Sequence, residues 1–277
     1  MIINAPHPSI QNYQGLHLFH ANLSSCSQRV RLALAEKGID WWESHHIDLS
    51  KDQHVTGDFH LINPKAQVPV LIHDGVVHIE SADIIQYLDL VFPGQPLFPK
   101  SRNALSLVEK WVALSDEVQS ALKVFSFEFI FKPKARKSKN QLEAYEKLER
   151  DNPYLVDFHR RFSSSSGLPR EEVQSAVTKI MGALRELDRA LAENEWIGGK
   201  EFSAADIPWM VNIHRFSLGR LPMNNFRHLM RWFAQAQKRP SYQAALVAWE
   251  PWYFRVFARF TYAAQRIFGS SVDRYVK

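Results

Sequence analysis

The sequence contains very little cysteine and no long apolar run, and both absences limit what the protein can be. Its 277 residues include one cysteine, Cys26, so no disulfide can form within the chain and a reducing compartment is expected. No stretch of about 18 uncharged apolar residues occurs, which argues against an ordinary membrane span. The first residues lack the cationic segment and apolar core of a secretory signal. Together these features predict a soluble, cytoplasmic protein without a transmembrane segment.

Charge of one sign is not in strong excess either. The 34 basic residues are offset by 29 acidic ones, which leaves a formal charge of +5, and the two kinds interleave along the chain. Nucleic-acid binding would need a localised basic stripe, and the clearest candidate, residues 132–139, is more typical of a surface loop. We therefore expect no nucleic-acid partner. A positive field of this kind also favours anionic substrates.

The first third of the chain has the pattern of a small α/β domain. Residues 16–20 alternate as a strand and lead through a polar turn into a helix, with Gly38 at the position of a C-cap. Two β-rich runs separated by Asp74-Gly75 predict a hairpin, and a second helix begins at residues 80–81. Pro69 lies inside the first of these runs, which favours a strand edge or a cis peptide bond.

Beyond residues 97–99 the apolar residues recur at helical spacing, which predicts an α-bundle. We predict a surface arm over residues 1–14, an α/β domain over 15–97 and an all-helical domain over 98–277. The stretch from Ser203 to Asp206 has the spacing of a capping box and predicts the start of a buried helix.

Two segments of the helical half differ from it in composition. Residues 132–168 are polar and basic and end in a serine-rich run, so we interpret them as a long insertion with partial helix in 139–150. Residues 249–268 are dense in aromatic side chains and carry three arginines. They fit a tail folded back over the bundle or, as an alternative, a segment that lies at a membrane interface.

Three motifs of the α/β domain resemble those of the cytosolic glutathione transferases in residue type and order. They are residues 24–34, 63–71 and 80–88. The resemblance covers residues 16–98, and the first motif is most similar to the zeta class, which includes maleylacetoacetate isomerase and a relative, tetrachlorohydroquinone reductive dehalogenase. It implies a thioredoxin-like N-terminal domain with a cis-proline, an all-helical C-terminal domain and a homodimer.

The same resemblance implies a site for glutathione as cosubstrate. Val68, just before Pro69, would pair its backbone with the tripeptide in the manner of an added strand, and Gln67 would reach the glycine end. Glu80 would accept from the γ-glutamyl ammonium group. Ser81, at a helix N-terminus, would donate to the neighbouring carboxylate.

The catalytic candidates are Ser24 and Cys26, which lie where the first strand turns into a helix. The helix dipole and a hydroxyl donated to sulfur together lower a thiol pKa by about one to three units. Cys26 matches the cysteine with which the dehalogenase relative attacks a glutathionyl adduct. Each residue also fits a structural role, Ser24 as an N-cap and Cys26 as a small buried side chain, so the sequence leaves open which one carries the chemistry.

These residues predict a glutathione transferase that activates the thiolate for attack on an electrophilic, apolar or aromatic small molecule, as in detoxification. The alternatives are a zeta-like isomerase, a reductive dehalogenase that uses Cys26, and a non-catalytic glutathione-binding or interaction module. The substrate pocket would draw on aromatic residues such as Trp111, Phe125 or Trp209. The twelve histidines show no metal-ligand spacing, and we predict no metal.

Overall fold

The computed structural model describes residues 1–5, 7–55 and 58–276, and these fold as two units. The first unit consists of residues Met1–Gly94 and Ala135–Gly167, and the second of Gln95–Lys134 and Leu168–Lys277. The strands are β1 (Ile2–Ile3), β2 (Leu16–His20), β3 (Glu43–His46), β4 (Val70–His73) and β5 (Val76–Ile79). The helices are α1 (Ser25–Glu36), α2 (Phe59–Ile62), α3 (Ser81–Val91), α4 (Arg102–Ser126), α5 (Lys132–Ala135), α6 (Lys139–Glu146), α7 (Pro153–Ser163), α8 (Arg170–Glu193), α9 (Asp206–Leu218), α10 (Arg227–Ala236), α11 (Pro240–Ala245) and α12 (Phe254–Ile267).

The five strands form one mixed sheet in the order β1-β5-β4-β2-β3. The pair β2 and β3 is parallel, and the other pairs are antiparallel. One face of the sheet carries an apolar cluster, which consists of Phe19, Val70, Ile72, Val77 and Ile79 together with Ile10, Phe59 and Ile62. A small α/β unit combined with a helical unit confirms the predicted fold class.

Local sequence signals fix the turns of the first unit. Ser24 is the N-cap of α1, and Gly38 follows the helix with φ of 68°. The N–H groups of Gly38 and Ile39 donate to the carbonyls of Ala35 and Leu34, which is the Schellman pattern. Asp74 and Gly75 join β4 to β5 with φ of 46° and 77°. Positive φ at both positions is the type I′ geometry expected of an Asp-Gly hairpin.

The first 14 residues are not a loose arm. Ile2 and Ile3 pair with His78 and Val77 at the edge of the sheet, and Ile10 is 5% exposed. Apolar residues at these positions gain more from joining the sheet and its core than they would in solvent.

Residues 135–167 belong to the first unit, although the sequence pattern placed residues 132–168 inside the helical domain. Helix α6, Lys139–Glu146, lies within the stretch for which partial helix is predicted. Helix α7 follows it and was missed. Its start carries a recognisable signal, because Asn152 caps the helix and Pro153 occupies the first helical position.

Asp52 is the polar anchor of this segment. Its side chain is 5% exposed and accepts hydrogen bonds from Lys137 Nζ, from Gln141 Nε2 at 2.7 Å and from Tyr145 Oη at 2.7 Å. Asp52 itself has φ of 57°, a left-handed conformation that aspartate tolerates better than most residues. One buried carboxylate thus holds three side chains of residues 135–167 against the loop before α2.

In the second unit, α4 and α8 pack along their apolar stripes, and α9 is buried over most of its length. The predicted helix start at Ser203–Asp206 is confirmed, with Ala205 as the N-cap residue. Asp206 is fully buried and accepts from Ser203 N at 2.9 Å, Ile197 N at 3.0 Å and Trp232 Nε1 at 2.8 Å. Burial raises its pKa to about 6, while these hydrogen bonds act in the opposite direction.

We predict that Asp52→Asn loosens residues 139–163. The substitution keeps the side-chain shape but leaves the ammonium of Lys137, whose side chain is 8% exposed, without its counter-charge. Breaking a buried ion pair in this way costs about 3–5 kcal/mol. In native-state hydrogen exchange, the free energy of protection of the amides in α6 and α7 should fall by about 3–5 kcal/mol. Lys51→Ala, at a side chain that is 75% exposed, is the control and should change protection by less than about 0.5 kcal/mol. Equal protection in Asp52→Asn and the native protein would contradict the anchoring role.

Candidate functional site

The sheet brings three strand ends together. Val70, the first residue of β4, pairs with Phe19 near the end of β2 on one side and with Ile79 at the end of β5 on the other. Neighbouring strands lie about 4.8 Å apart. The turn that follows β2, the segment that precedes β4 and the residues that follow β5 therefore share one edge of the sheet.

The turn after β2 is closed by its own backbone and by Ser24. Ser24 N donates to Ala21 O at 3.2 Å, and Ser24 Oγ accepts from Ser27 N at 3.3 Å. The hydroxyl oxygen is engaged as an acceptor, and its proton is not used in this bond. Ser24 and Cys26 are both half-buried, so each can be reached by a ligand at this edge.

A buried arginine supports this turn from the side of the sheet. Arg31 donates to Ala21 O at 3.3 Å and to Asn22 O at 2.9 Å, and its Nη1 lies 3.0 Å from His20 Nδ1. His20 Nε2 is 2.7 Å from Ser44 Oγ. Burial, with the nearby Arg31 charge, lowers the pKa of His20 to about 3. The neutral imidazole accepts from Arg31, so the arginine is held in place to bind the turn.

The segment before β4 contains a cis peptide bond between Val68 and Pro69, as predicted. Asn63 holds this segment, since its Nδ2 donates to Gln67 O at 2.7 Å and its Oδ1 accepts from Lys65 N at 3.1 Å. Within the described part of the chain, neither the N–H nor the C=O of Val68 has a backbone partner. That leaves one donor and one acceptor at the shared edge.

Residues 135–167 pack behind the same segment. Ala66 is 1% exposed and lies in an apolar cluster with Tyr145, Leu148, Leu155 and Val156. Asn152 Nδ2 donates to Lys65 O at 2.9 Å. The segment that carries Gln67 and Val68 is therefore fixed on one side by packing and on the other by the sheet.

The residues after β5 form the third part of the edge. Glu80 has φ of 66°, an unfavourable conformation for a residue with a side chain, and it precedes the first turn of α3. Its Oε1 is 2.7 Å from Lys65 Nζ, so the carboxylate is linked to the segment before β4. Ser81 is 7% exposed and occupies the first helical position, where backbone N–H groups are free to bind an anion.

All the residues singled out from the sequence thus lie at this one edge, on three segments that the sheet aligns: Ser24, Cys26, Gln67, Val68, Pro69, Glu80 and Ser81. Gln67 and Glu80 are exposed, whereas Val68, Pro69 and Ser81 are buried. Their roles toward glutathione stay predictions.

Sequence reasoning missed four residues that support these segments, namely His20, Arg31, Lys65 and Asn152. Arg31 lies inside the first motif, so its presence in an otherwise buried helix face was a usable signal. Arginine is almost never fully buried unless it is paired. Lys65 and Asn152 carried no comparable signal, because their partners are set by the tertiary fold.

Three side chains on β2 and β3, those of His17, Glu43 and His45, form a group. His17 Nδ1 lies 3.0 Å from His45 Nε2 and 3.4 Å from Glu43 Oε2, a grouping created by the parallel pairing of β2 with β3. His17 Nε2 is 2.8 Å from Gln14 O. The three side chains have metal-ligating chemistry, and the absence of a metal stays a prediction.

The three aromatic residues named for the substrate pocket lie in the core of the second unit. Trp111, Phe125 and Trp209 are 3%, 0% and 0% exposed. Trp209 Nε1 donates to Trp111 O at 3.0 Å, and Phe125 stacks edge-on against Phe216. Such burial is typical of packing residues.

We predict that His20 makes the protein sensitive to acid. Its pKa of about 3 in the folded state lies below the ordinary 6.5, so the unfolded chain binds the proton more readily. Stability is therefore lost as the pH falls from about 6.5 toward 3, by about 2 kcal/mol at pH 5. His20→Gln keeps an acceptor for Arg31 and a donor for Ser44, and should remove this loss. Calorimetric unfolding at pH 7 and pH 5 measures the difference, and an equal loss in both proteins would contradict it.

Comparison with known proteins agrees with this geometry. The model of the glutathione S-transferase N-terminal domain matches residues 18–96. Glutathione S-transferase 1 of Dianthus caryophyllus is 45% identical over 87 residues, which are 31% of this chain and 39% of that protein. Glutathione S-transferase TCHQD of Arabidopsis thaliana is 25% identical over 247 residues, which cover 83% and 89%. Maleylacetoacetate isomerases are further relatives.

The crystal structure of β-etherase LigF from Sphingobium sp. strain SYK-6 superposes with a TM-score of 0.73 at 25% identity. The superposition covers 83% of this chain and 98% of that one. Residues 18–96 thus match the glutathione S-transferase N-terminal domain, and over most of its length the chain is similar to glutathione S-transferases, with zeta-class enzymes among its relatives.

Proposed function

We propose that this protein is an enzyme that binds glutathione at the edge formed by Ser24, Val68 and Ser81 and activates its thiol for attack on an electrophilic small molecule. The observation that carries the proposal is the register of the sheet. Phe19, Val70 and Ile79 are aligned on adjacent strands, so two helix N-termini and an unpaired backbone segment meet at one place. Glutathione has an anionic group for each helix start and a peptide backbone for the segment between them.

The tripeptide lies along the segment before β4 in this proposal. Val68 N–H and C=O pair with the cysteinyl unit as an added strand would, and the exposed Gln67 side chain extends toward the glycine end. Asn63 and the packing of Ala66 hold the segment before the ligand arrives. A segment held in its bound conformation loses less entropy on binding.

The γ-glutamyl end is bound by the start of α3. Its carboxylate accepts from Ser81 and from the free N–H groups of the first turn, and its ammonium is bound by Glu80. Lys65 already occupies Glu80 Oε1. The second carboxylate oxygen is therefore the one that accepts from the ligand, and Lys65 fixes its direction.

Thiolate formation takes place at the start of α1. Ser24 Oγ accepts from Ser27 N, which leaves the hydroxyl proton to donate to sulfur. A charge-assisted hydrogen bond of about 1.5–3 kcal/mol and a dipole contribution of about 0.3–1 kcal/mol lower the thiol pKa by roughly one to three units. From about 8.5, this brings a large share of the thiol into the nucleophilic form at neutral pH.

The electrophile is an apolar or aromatic small molecule in this proposal, and the enzyme works as a homodimer in the cytoplasm with a detoxifying role. Relatives bear the names of an isomerase and a β-etherase, so isomerisation and thiolytic cleavage are two other reactions that the activated thiol could carry out.

Cys26 favours one specific alternative, reductive dehalogenation. It is half-buried in the first turn of α1, two residues after Ser24, where it can attack a glutathionyl adduct.

We predict that Ser24→Ala raises the pKa of enzyme-bound glutathione by about one to two units, because the sulfur loses a charge-assisted hydrogen bond. The ultraviolet absorbance of the bound thiolate, titrated against pH, measures the shift. Ser24→Thr keeps the hydroxyl and should restore the native value, which separates this role from the loss of a helix cap.

Cys26→Ser should leave this titration unchanged. An unchanged pKa in Ser24→Ala together with loss of turnover of a halogenated aromatic in Cys26→Ser would transfer the catalytic role to Cys26. Failure of the native protein to bind immobilised glutathione would contradict the proposed function as a whole.

We also predict that Glu80→Gln weakens the binding of glutathione about tenfold or more, because a charged hydrogen bond of about 1.5–3 kcal/mol to the ammonium is lost. N-acetylglutathione has no ammonium group and should bind the native protein and the variant with nearly equal, weak affinity. Isothermal titration measures both ligands. If Glu80→Gln lowered the affinity for glutathione and for N-acetylglutathione by the same factor, Glu80 would have a structural role through Lys65 instead.

A further inference from the structure

Helix α12, at residues 254–267, is anchored in the second unit by one of its faces. Phe254, Ala258 and Thr261 are buried along this inner face. Phe254 stacks on Phe131 with ring centroids 6.0 Å apart, and Gln265 Nε2 donates to Glu128 O at 3.0 Å. The segment therefore folds back over the bundle, which was one of the two expectations from its composition.

The opposite face of α12 exposes large apolar side chains to solvent. Val256, Phe260 and Ile267 are 49%, 71% and 81% exposed. With about 100° between successive residues of a helix, these three and Ala263 fall within about 60° of one another. Trp252, 90% exposed, precedes this stripe, and Phe268, 83% exposed, follows it. An outer face of this kind is unusual for a helix that already has a buried face.

A strip of arginines borders the apolar stripe. Arg255, Arg259 and Arg266 fall within about 40° of one another on the helix, directly beside Val256 and its neighbours. No acidic residue occurs between Pro251 and Val272. Arg255 pairs with Glu250 and Arg266 lies 4.0 Å from Asp273, whereas Arg259 has no ion-pair partner among the residues that the structure describes. At the end of the helix near Trp252, the ammonium of Lys134 lies 4.9 Å from the ring centre of Phe257.

We propose that this outer face of α12 docks on the surface of a bilayer that contains anionic phospholipids. Apolar side chains flanked by arginine are the arrangement with which an amphipathic helix lies in the headgroup region. The exposed rings of Trp252 and Tyr253 before the helix suit the same depth, because Trp and Tyr prefer the membrane–water interface. The 14 residues span about 21 Å, shorter than the hydrocarbon core, so the helix lies along the surface. No helix of the described residues is long and apolar enough to cross a membrane.

A second copy of the chain fits this face less well. The same face on a partner would supply apolar contact but no acidic side chain, so Arg259 would remain without a counter-charge. Lipid phosphates supply that charge along the whole strip. The docking does not depend on the proposed function. An apolar electrophile concentrates in bilayers, so the enzyme docked on a bilayer would encounter its substrate there.

Co-sedimentation of the full chain with vesicles tests the proposal. Vesicles of phosphatidylcholine with about a third phosphatidylserine are compared with pure phosphatidylcholine. We expect at least about tenfold stronger partitioning to the anionic vesicles, which weakens as salt is raised because the arginine attraction is screened. Arg259→Gln should lower this partitioning about fivefold, the share of one arginine near a charged surface.

The double variant Phe260→Ser, Ile267→Ser should lose about tenfold or more on either kind of vesicle. Both side chains are exposed, so the fold and glutathione binding should be unchanged. Leu90→Ser, at a side chain that is 79% exposed on α3, is the matched control and should partition like the native protein. Equal sedimentation of the double variant and the native protein would overturn the proposal. So would a self-association that the double variant abolishes while vesicle binding is absent, because the face would then belong to a second copy.

Discussion

The antiparallel pairing of β4 with both of its neighbours is the constraint on which the candidate site depends. It places the first residue of β4 between the ends of β2 and β5, so Val70 lies between Phe19 and Ile79. Two helices that begin after those ends then direct their free N–H groups toward the same edge. A slip of one residue in this register would turn every side chain of β4 to the other face and separate the three segments.

Each segment at this edge is also held by a group outside the sheet. Arg31 binds the carbonyls of the turn before Ser24, and Asn152 binds the segment before Val68. Asp52 in turn fixes α6, the helix that precedes Asn152. Loops that are positioned by buried polar contacts of this kind are preorganised for a ligand. Residues 135–167 therefore support the segment before β4, although composition alone suggested a surface insertion.

The sequence was sufficient for two elements whose determining contacts are local. The hairpin at Asp74-Gly75 follows from backbone conformations that few other residue pairs tolerate, and the buried helix after Ser203 follows from a capping arrangement within four residues. It failed where partners are distant along the chain. Asp52 and Lys137 are 85 residues apart, and their ion pair is one of the contacts that join residues 135–167 to the first unit. The grouping of His17 with His45 likewise needs the pairing of β2 with β3, since the two histidines are 28 residues apart.

The hydroxyl of Ser24 also limits the kind of catalysis this edge supports. Its oxygen accepts from Ser27 N, so its remaining strong interaction is the donation of its proton. In the proposed function, a group committed in this way stabilises a thiolate but does not remove the thiol proton, which then has to leave to solvent or to the ligand's own carboxylate. The proposal therefore places ionisation before the arrival of the electrophile and makes it depend on the fixed dipoles of the turn. On this proposal the rate advantage comes from the preorganised turn, which Arg31 and His20 hold in place, and not from a general base.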